Sequence, residues 1–370
     1  MKHVLVIRLS ALGDVALMAP LVHDYATSNP NVLFTVAGPP LLQPLFSGMA
    51  NVEYLGLKKK QSFIKIYKIL NAVGADTVVD LHKVNRVGFA LTLLRLRHLF
   101  NFHFRLCALR KGKFTRWLYL HHLRTAPRKP QYQRYNEVFQ RAGLTTDKTK
   151  LKIEINGSPR EVSTFNSPIS IGLAPFSQHK GKIWPWENTC QLVQLLVAAG
   201  YRVLLFGSKD EAPQLESLSA QQSKSGVVEE CVTAFAKPSV SSPKLGEGDR
   251  PEGVVEECVT SLAGKQSFSE ELDIIKNLSL MVSMDSSNMH FASVLGVPVV
   301  SIWGATHPDF GFYPQQQDRA NALVANLPCQ PCSAFGQKPC RYGDYRCLAA
   351  ITPEMVFQKI QSILNQNAHA

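Results

Sequence analysis

The chain has 370 residues, 45% of them apolar, enough to fill two substantial cores, so a two-domain organisation is expected and a disordered chain is excluded. Forty Lys and Arg against 28 Asp and Glu give a formal charge of +12, which points to an anionic partner. No apolar run reads as a membrane span. Tyr25 to Val52 lacks charge but is broken by Pro30, Gly38, Pro39, Pro40, Pro44 and Gly48, and Ser286 to Pro308 is interrupted by Gly296, Pro298 and Gly304.

The chain opens with His3–Leu9, an apolar run expected as a buried parallel strand, and Arg8 and Asp14 interrupt it in a way a signal peptide would not. Ser10–Asp14 then turns into an apolar helix. In the first half the pattern predicts strands near 3–9, 31–37, 52–57, 77–82 and 98–104, with helices near 14–27, 62–73, 85–96 and 131–143. Between Asp80 and Glu137 there is no acidic residue, while Arg86, Arg95, Arg97, Arg110, Lys111, Lys113, Arg116 and Arg134 alternate with Phe100, Phe102, Phe104, Phe114, Trp117 and Tyr119. Such a segment suits a polyanionic surface, anionic glycolipid or membrane ahead of nucleic acid, or is a solvated basic face over ordinary helices.

Periodicity breaks near 156–168, the expected domain boundary. Beyond it, strands near 168–174, 202–207, 278–284 and 297–303 alternate with helices near 187–199, 209–219, 268–276 and 287–295, and a last helix runs from about 353 to 365. The alternation predicts an α/β protein of two doubly wound sheets. Expected limits are 1–160 for the first domain, 161–350 for the second with an insertion at about 220–252, and 351–370 for the C-terminal helix. The insertion holds a duplication: Gly226–Thr233 recurs residue for residue as Gly253–Thr260, with Lys237–Glu252 expected as a surface loop.

Three motifs fall at strand-to-helix turns, where open α/β sheets bind ligands. The first is Arg8-Leu9-Ser10-Ala11-Leu12-Gly13-Asp14. The second, Ser177-Gln178-His179-Lys180-Gly181-Lys182-Ile183-Trp184-Pro185, places lysines after a strand. In the third, Asp285-Ser286-Ser287-Asn288-Met289-His290, a strand ends in a carboxylate and small polar residues open a helix whose free N–H groups and positive dipole end suit a phosphate.

Together with Gly304-Ala305-Thr306-His307-Pro308, these motifs make the chain resemble glycosyltransferase family 9, the ADP-heptose:lipopolysaccharide heptosyltransferases and their relatives, over most of its length. The resemblance implies the GT-B arrangement: two Rossmann-like domains facing a central cleft, acceptor bound by the first and nucleotide sugar by the second. It implies an inverting transfer of a sugar, heptose from ADP-heptose, onto the lipopolysaccharide core of a Gram-negative bacterium. Asp14 matches the family's catalytic base, although a first-turn carboxylate of the first helix explains the same residue. Lys182 matches the lysine on the donor diphosphate, Ser177 a hydroxyl position in the same loop, and Asp285 the carboxylate that holds donor sugar hydroxyls. Ser286 and Ser287 supply the helix opening, and this chain has Ser287-Asn288 where the family more often has Gly-Pro. His290 fits the family's histidine near the donor, and equally fits a core histidine. The family scheme needs no metal and no cofactor. Its implied partners are an ADP-sugar donor and an anionic glycolipid acceptor, without nucleic acid, at a cytoplasmic location peripheral to the inner membrane.

Cys329, Cys332, Cys340 and Cys347 have a spacing open to zinc, to reduced thiols or to local disulfides, and Cys107, Cys190, Cys231 and Cys258 read as ordinary thiols. There is no G-x-x-x-x-G-K-[ST] loop and no G-x-G-x-x-G fingerprint. Two other readings stay open: a non-catalytic basic protein that binds polyanions, and a transferase or epimerase of the same fold acting on another nucleotide sugar.

Overall fold

A computed structural model describes residues 2–58, 61–99, 104–123, 127–146, 169–224, 258–314 and 316–368. Its first sheet is five-stranded and wholly parallel, in the order β3-β2-β1-β4-β5. The strands are β1 Lys2–Ile7, β2 Val32–Gly38, β3 Val52–Gly56, β4 Thr77–Asp80 and β5 Arg105–Ala108. Around them lie helices α1 Leu12–Ala16, α2 Ala19–Ser28, α3 Phe63–Val73, α4 Asn85–Arg97, α5 Lys113–Leu120 and α6 Gln131–Arg141. Val4, Leu5, Val6 and Ile7 are fully buried, as expected of a central strand covered on both faces.

The second sheet has six parallel strands in the order β11-β10-β9-β6-β7-β8. These are β6 Ser170–Ala174, β7 Arg202–Leu205, β8 Val259–Ser261, β9 Leu280–Met284, β10 Val299–Trp303 and β11 Ala322–Val324. Helices α7 Trp186–Ala198, α8 Ala212–Lys224, α9 Phe268–Lys276, α10 Ser287–Val294, α11 Arg346–Ala349 and α12 Pro353–Ala368 accompany them. Helix α12 buries Val356, Ile360 and Ile363 in the same core as β6, β7 and β9. No helix among the described residues is long and apolar enough to cross a membrane.

Both sheets reverse direction at a central strand. From β1 the chain adds β2 and β3 on one side and then β4 and β5 on the other, and from β6 it adds β7 and β8 before crossing to β9, β10 and β11. A crevice opens at each reversal, beyond the C-terminal ends of β1 and β4 in one sheet and of β6 and β9 in the other. The three sequence motifs follow β1, β6 and β9.

Several expectations are corrected. The fifth strand lies at Arg105–Ala108, where it pairs with β4 from Thr77↔Arg105 to Asp80↔Ala108, while 100–103 of the expected 98–104 fall outside the described residues. The helix expected over 14–27 is two helices: Pro20 sits in the first turn of α2, where its missing N–H costs nothing, and the chain breaks at Leu17–Met18. Helix α5 and strands β8 and β11 were not expected from periodicity; α5 is short, and the two strands have three residues each and lie at opposite edges of the second sheet. The expected boundary at 156–168 lies outside the described residues, as does the expected insertion beyond Lys224, its first residues continuing α8; Val259 and Thr260, which end the second copy of the duplication, belong to β8. Cys258, expected as a thiol, is disulfide-bonded.

The two halves are clasped away from the cleft floor. The backbone N–H groups of Arg128 and Gln131 donate to the carbonyls of Asp309 and Gly311 at 2.9 and 2.8 Å, and the Tyr119 hydroxyl donates to Asp309 Oδ2 at 2.5 Å. Arg319 also pairs with Asp309. Gly311 has φ +83°, and a Cβ there would stand 2.5 Å from the Lys129 carbonyl oxygen. Gly311→Ala is therefore expected to destabilise the protein by roughly 2 kcal/mol or more, from left-handed strain plus the clash, read as a lower urea midpoint.

Candidate functional site

The turn after β1 is built around Arg8, whose side chain is buried beneath Asp14. One guanidinium nitrogen donates to the Leu81 carbonyl beyond β4 and the other to Asp14 Oδ2, so Arg8 ties the two sides of the first reversal together. The Tyr135 hydroxyl donates to Asp14 Oδ1 at 3.4 Å, and the Arg8 guanidinium lies over the Tyr135 ring, 5.5 Å from its centroid. Burial opposes the charge of Arg8, but Asp14, Tyr135 and Asp80 outweigh it and raise its pKa. The Ala11 backbone N–H reaches Asp14 Oδ2 at 3.5 Å, so Asp14 does serve as a first-turn carboxylate of α1 while it also lines the cleft. Ser10 Oγ and His82 Nε2 lie 3.0 Å apart across the same reversal. Asp80, at the end of β4, accepts from the N–H groups of His82 and Lys83 at 2.9 and 2.8 Å; burial still pushes its carboxyl up.

At the second reversal Asp285 ends the path from β9 and meets the loop after β6. Lys182 Nζ pairs with Asp285 Oδ2 at 2.8 Å and donates to the Asp285 carbonyl at 3.2 Å. Ser177 Oγ donates to that carbonyl at 3.3 Å, and Thr306 Oγ1 to Asp285 Oδ2 at 2.8 Å. The loop carrying Lys182 is fixed from behind, since the fully buried Trp184 donates its indole N–H to the Ile351 carbonyl at 2.9 Å. Gly336, at φ +80°, packs on the lysine stem so closely that a Cβ would stand 2.6 Å from Lys182 Cγ. Ser286 is the residue before α10 in extended conformation, with its hydroxyl 3.0 Å from Ser283 Oγ, and Ser287 begins the helix.

Helices α1 and α10 meet between the two reversals. A Cβ on Gly13 would fall 2.3 Å from His290 Cδ2, so the imidazole occupies the space that any other residue would fill. His290 is buried, and among the described residues Nδ1 has no hydrogen-bond partner. Burial lowers its pKa to about 4, against the attraction of Asp285 and Asp14 and with a smaller contribution from Lys182. It is thus both a core histidine and a residue of the cleft wall, and it senses the charges of both domains' motifs.

The resulting cleft has a volume of about 760 Å³, and Asp14, Ser177, Lys182, Asp285, Ser286, Ser287 and His290 all line it. The structure therefore brings together every residue expected at the site. Sequence reading missed Arg8 as the partner of Asp14, and Tyr135 and Thr306, which complete the two carboxylate networks. It also did not separate Lys111, Arg116 and Arg134, which face the cleft on the side of the first sheet, from the rest of the basic segment. Burial lowers the pKa of all three, reinforced at Lys111 and Arg134 by neighbouring cations, and Arg116 Nε is buried without a partner among the described residues. An indicator was present in the acid-free stretch from Asp80 to Glu137, but only the fold shows which cations converge. The thiols of Cys329, Cys332, Cys340 and Cys347 are free, and no group of three or more His, Cys, Asp and Glu among the described residues is arranged to hold a metal ion.

The profile of glycosyltransferase family 9 (heptosyltransferase) matches residues 64–244 and 241–345. Lipooligosaccharide heptosyltransferase 2 of Haemophilus influenzae is 27% identical over 196 residues, covering 52% of this chain and 47% of that protein, so the chain spans about half the length of the curated relatives it matches. Among solved structures, a family 9 glycosyl transferase from Veillonella parvula superposes with a TM-score of 0.69 at 19% identity, covering 99% of this chain and 98% of the other. The ADP-heptose heptosyltransferase II of Escherichia coli gives 0.62 at 19% identity and covers both chains completely. The fold of these structures and the profile match across both halves show that the chain belongs to glycosyltransferase family 9.

Proposed function

We propose that the chain is an inverting glycosyltransferase that moves a sugar, heptose from ADP-heptose, onto the lipopolysaccharide core. The observation that carries this reading is the opposition, across one cleft, of an Arg8-anchored carboxylate at the first sheet's reversal and a lysine–carboxylate pair with a helix N-terminus at the second's. A solved structure of the E. coli heptosyltransferase WaaC, which shares the fold with a TM-score of 0.60, is one with ADP, in keeping with the proposed donor.

In the proposed reaction an acceptor hydroxyl oxygen attacks the anomeric carbon as the bond from that carbon to the diphosphate oxygen breaks. Asp14 takes the hydroxyl proton; Arg8 and Tyr135 hold its two oxygens in place, so the carboxylate needs no reorientation during the step. The departing diphosphate gains charge, and Lys182 together with the free N–H groups at the start of α10, beside Ser286 and Ser287, stabilises that charge more in the transition state than in the ground state. Asp285, oriented by Thr306, is assigned to hydroxyls of the donor sugar, and Ser177 to the phosphate-facing loop. Lys111, Arg116 and Arg134 are assigned to an anionic group of the acceptor, which would relieve the mutual repulsion and supply a partner for Arg116 Nε, which has none among the described residues. We further propose a cytoplasmic location at the inner membrane face, where such an acceptor is reached.

Asp14→Asn keeps the shape of the residue and removes the base; kcat should fall by about 100-fold or more while the affinity for ADP stays within a factor of two or so. Undiminished turnover would remove the base assignment. Lys182→Met is expected to raise the donor KM and lower kcat together, by about 100-fold in kcat/KM, and unchanged kinetics would remove the phosphate role. In a thermal-shift panel of ADP, UDP, GDP and CDP, stabilisation confined to ADP is the expected result; a preference for another diphosphate would retain the mechanism and change the donor.

A further inference from the structure

Helix α4 is apolar on two opposite faces. Val87, Ala90, Leu91 and Leu94 enter the core of the first sheet, as a helix on a parallel sheet must. On the other side Phe89, Leu93 and Leu96 recur at the same helical spacing, and Leu99 follows the helix end. Phe89, Leu96 and Leu99 are 63%, 59% and 62% exposed. The neighbouring α3 adds Phe63 and Ile64, 40% and 52% exposed, with the Phe63 ring 6.2 Å from that of Phe89. Single exposed leucines are ordinary on a protein surface, whereas this is a contiguous strip across two packed helices.

Cations frame the strip. Lys58, Lys65, Lys68, Arg86, Arg95 and Arg97 are exposed, and neither helix contains Asp or Glu. At about 100° per residue, Arg86 and Arg97 fall on the flank nearest Leu93, and Arg95 on the opposite flank of the strip. Helix α4 begins just after Val84, which lines the cleft with His82, so the strip leads away from the cleft mouth.

We propose that the outward faces of α3 and α4 dock this protein on an anionic lipid bilayer, with Phe89, Leu96 and Leu99 entering the interfacial layer and the surrounding cations meeting headgroup phosphates. Charge decides the occupant. A second copy packed face to face would set cation against cation without a carboxylate on either helix, whereas an anionic bilayer accepts both the apolar strip and its basic frame. The inference deepens the reading of a membrane-borne acceptor and rests on it for its purpose: the bilayer would then lie where a lipid-anchored sugar can enter the cleft beside Val84.

The test is co-sedimentation of the full chain with vesicles of phosphatidylglycerol and phosphatidylcholine, against phosphatidylcholine alone. Binding is expected to the anionic vesicles and to decline with salt. F89E/L96E should weaken it by about tenfold or more, while R86A/R97A should weaken it less and flatten its salt dependence. Both variants should keep the ADP-induced thermal shift and transfer to a soluble, deacylated acceptor. Absence of wild-type binding, or binding by F89E/L96E undiminished from the wild type, overturns the docking surface. Sedimentation of the wild type as a dimer that F89E/L96E dissociates, with vesicle binding unchanged, overturns it in favour of self-association. Failure of the transferase reading is separately visible, as vesicle binding without any nucleotide response.

Discussion

The cleft depends on one close contact, the packing of Gly13 against His290. Two Rossmann-like units place their functional turns on a common surface only if α1 and α10 approach more closely than side chains normally permit. Here the imidazole fills the place of a missing Cβ. Asp14 follows Gly13 directly, and Ser287 opens the helix that carries His290, so this single contact sets both walls. The ring works as a neutral spacer: burial holds its pKa near 4, below the ordinary 6.5. Because the folded value is the lower one, the stability that the neutral ring contributes is complete above about pH 6.5 and is lost as pH falls from there towards 4.

The second constraint is the buried pair of Lys182 and Asp285. Removing either partner of such a pair typically costs about 3–5 kcal/mol, because the other charge stays buried and uncompensated. What the arrangement provides is direction. Lys182 is pinned by Asp285 from the front, by Gly336 along its stem and by the Trp184 anchor behind its loop, while Asp285 is shared with Thr306. Groups held this firmly before a ligand arrives need little reorganisation as charge develops, which is how fixed ammonium groups and helix ends stabilise a leaving diphosphate.

Much of this was legible in the sequence for a physical reason. Parallel strands buried on both faces are apolar runs, and each turn at their C-terminal ends is marked by polar residues, so β1, β6 and β9 and their motifs stand out together. Where a strand is short and lies at an edge, that signal fades. β8 and β11 have three residues each, and the aromatic stretch before β5 imitated a strand better than Arg105–Ala108 does. The partners of the site residues were hidden for another reason. Tyr135 lies 121 residues from Asp14 and Thr306 lies 21 from Asp285, and no local pattern ties such pairs until the fold brings them together. Arg8 was visible as a residue but not as a ligand of Asp14, since a charge near the end of a buried strand reads equally well as an exposed strand terminus.

The distribution of positive charge follows from what the site neutralises for itself. Asp14 pairs with Arg8 and Asp285 with Lys182, and the attraction that Asp14 exerts on Arg116 and Arg134, and Asp80 on Lys111, does not offset the cost of their burial. Glu211 and Glu271 also line the cleft, but Glu211 accepts the N–H of Ser208 in the turn after β7, and burial pushes the Glu271 carboxyl up, towards its neutral form. The first domain therefore presents unbalanced cations to the cleft, and the α3–α4 face presents a second, separate set around an apolar strip. A freely diffusing anionic acceptor would require only the first kind of site. A protein that needed solubility alone would not surround exposed Phe89 and Leu96 with arginines while leaving both helices without a carboxylate. The pairing of a cationic cleft with a cationic, apolar outer face fits a substrate that is anionic at the reacting end and held in an anionic layer at the other.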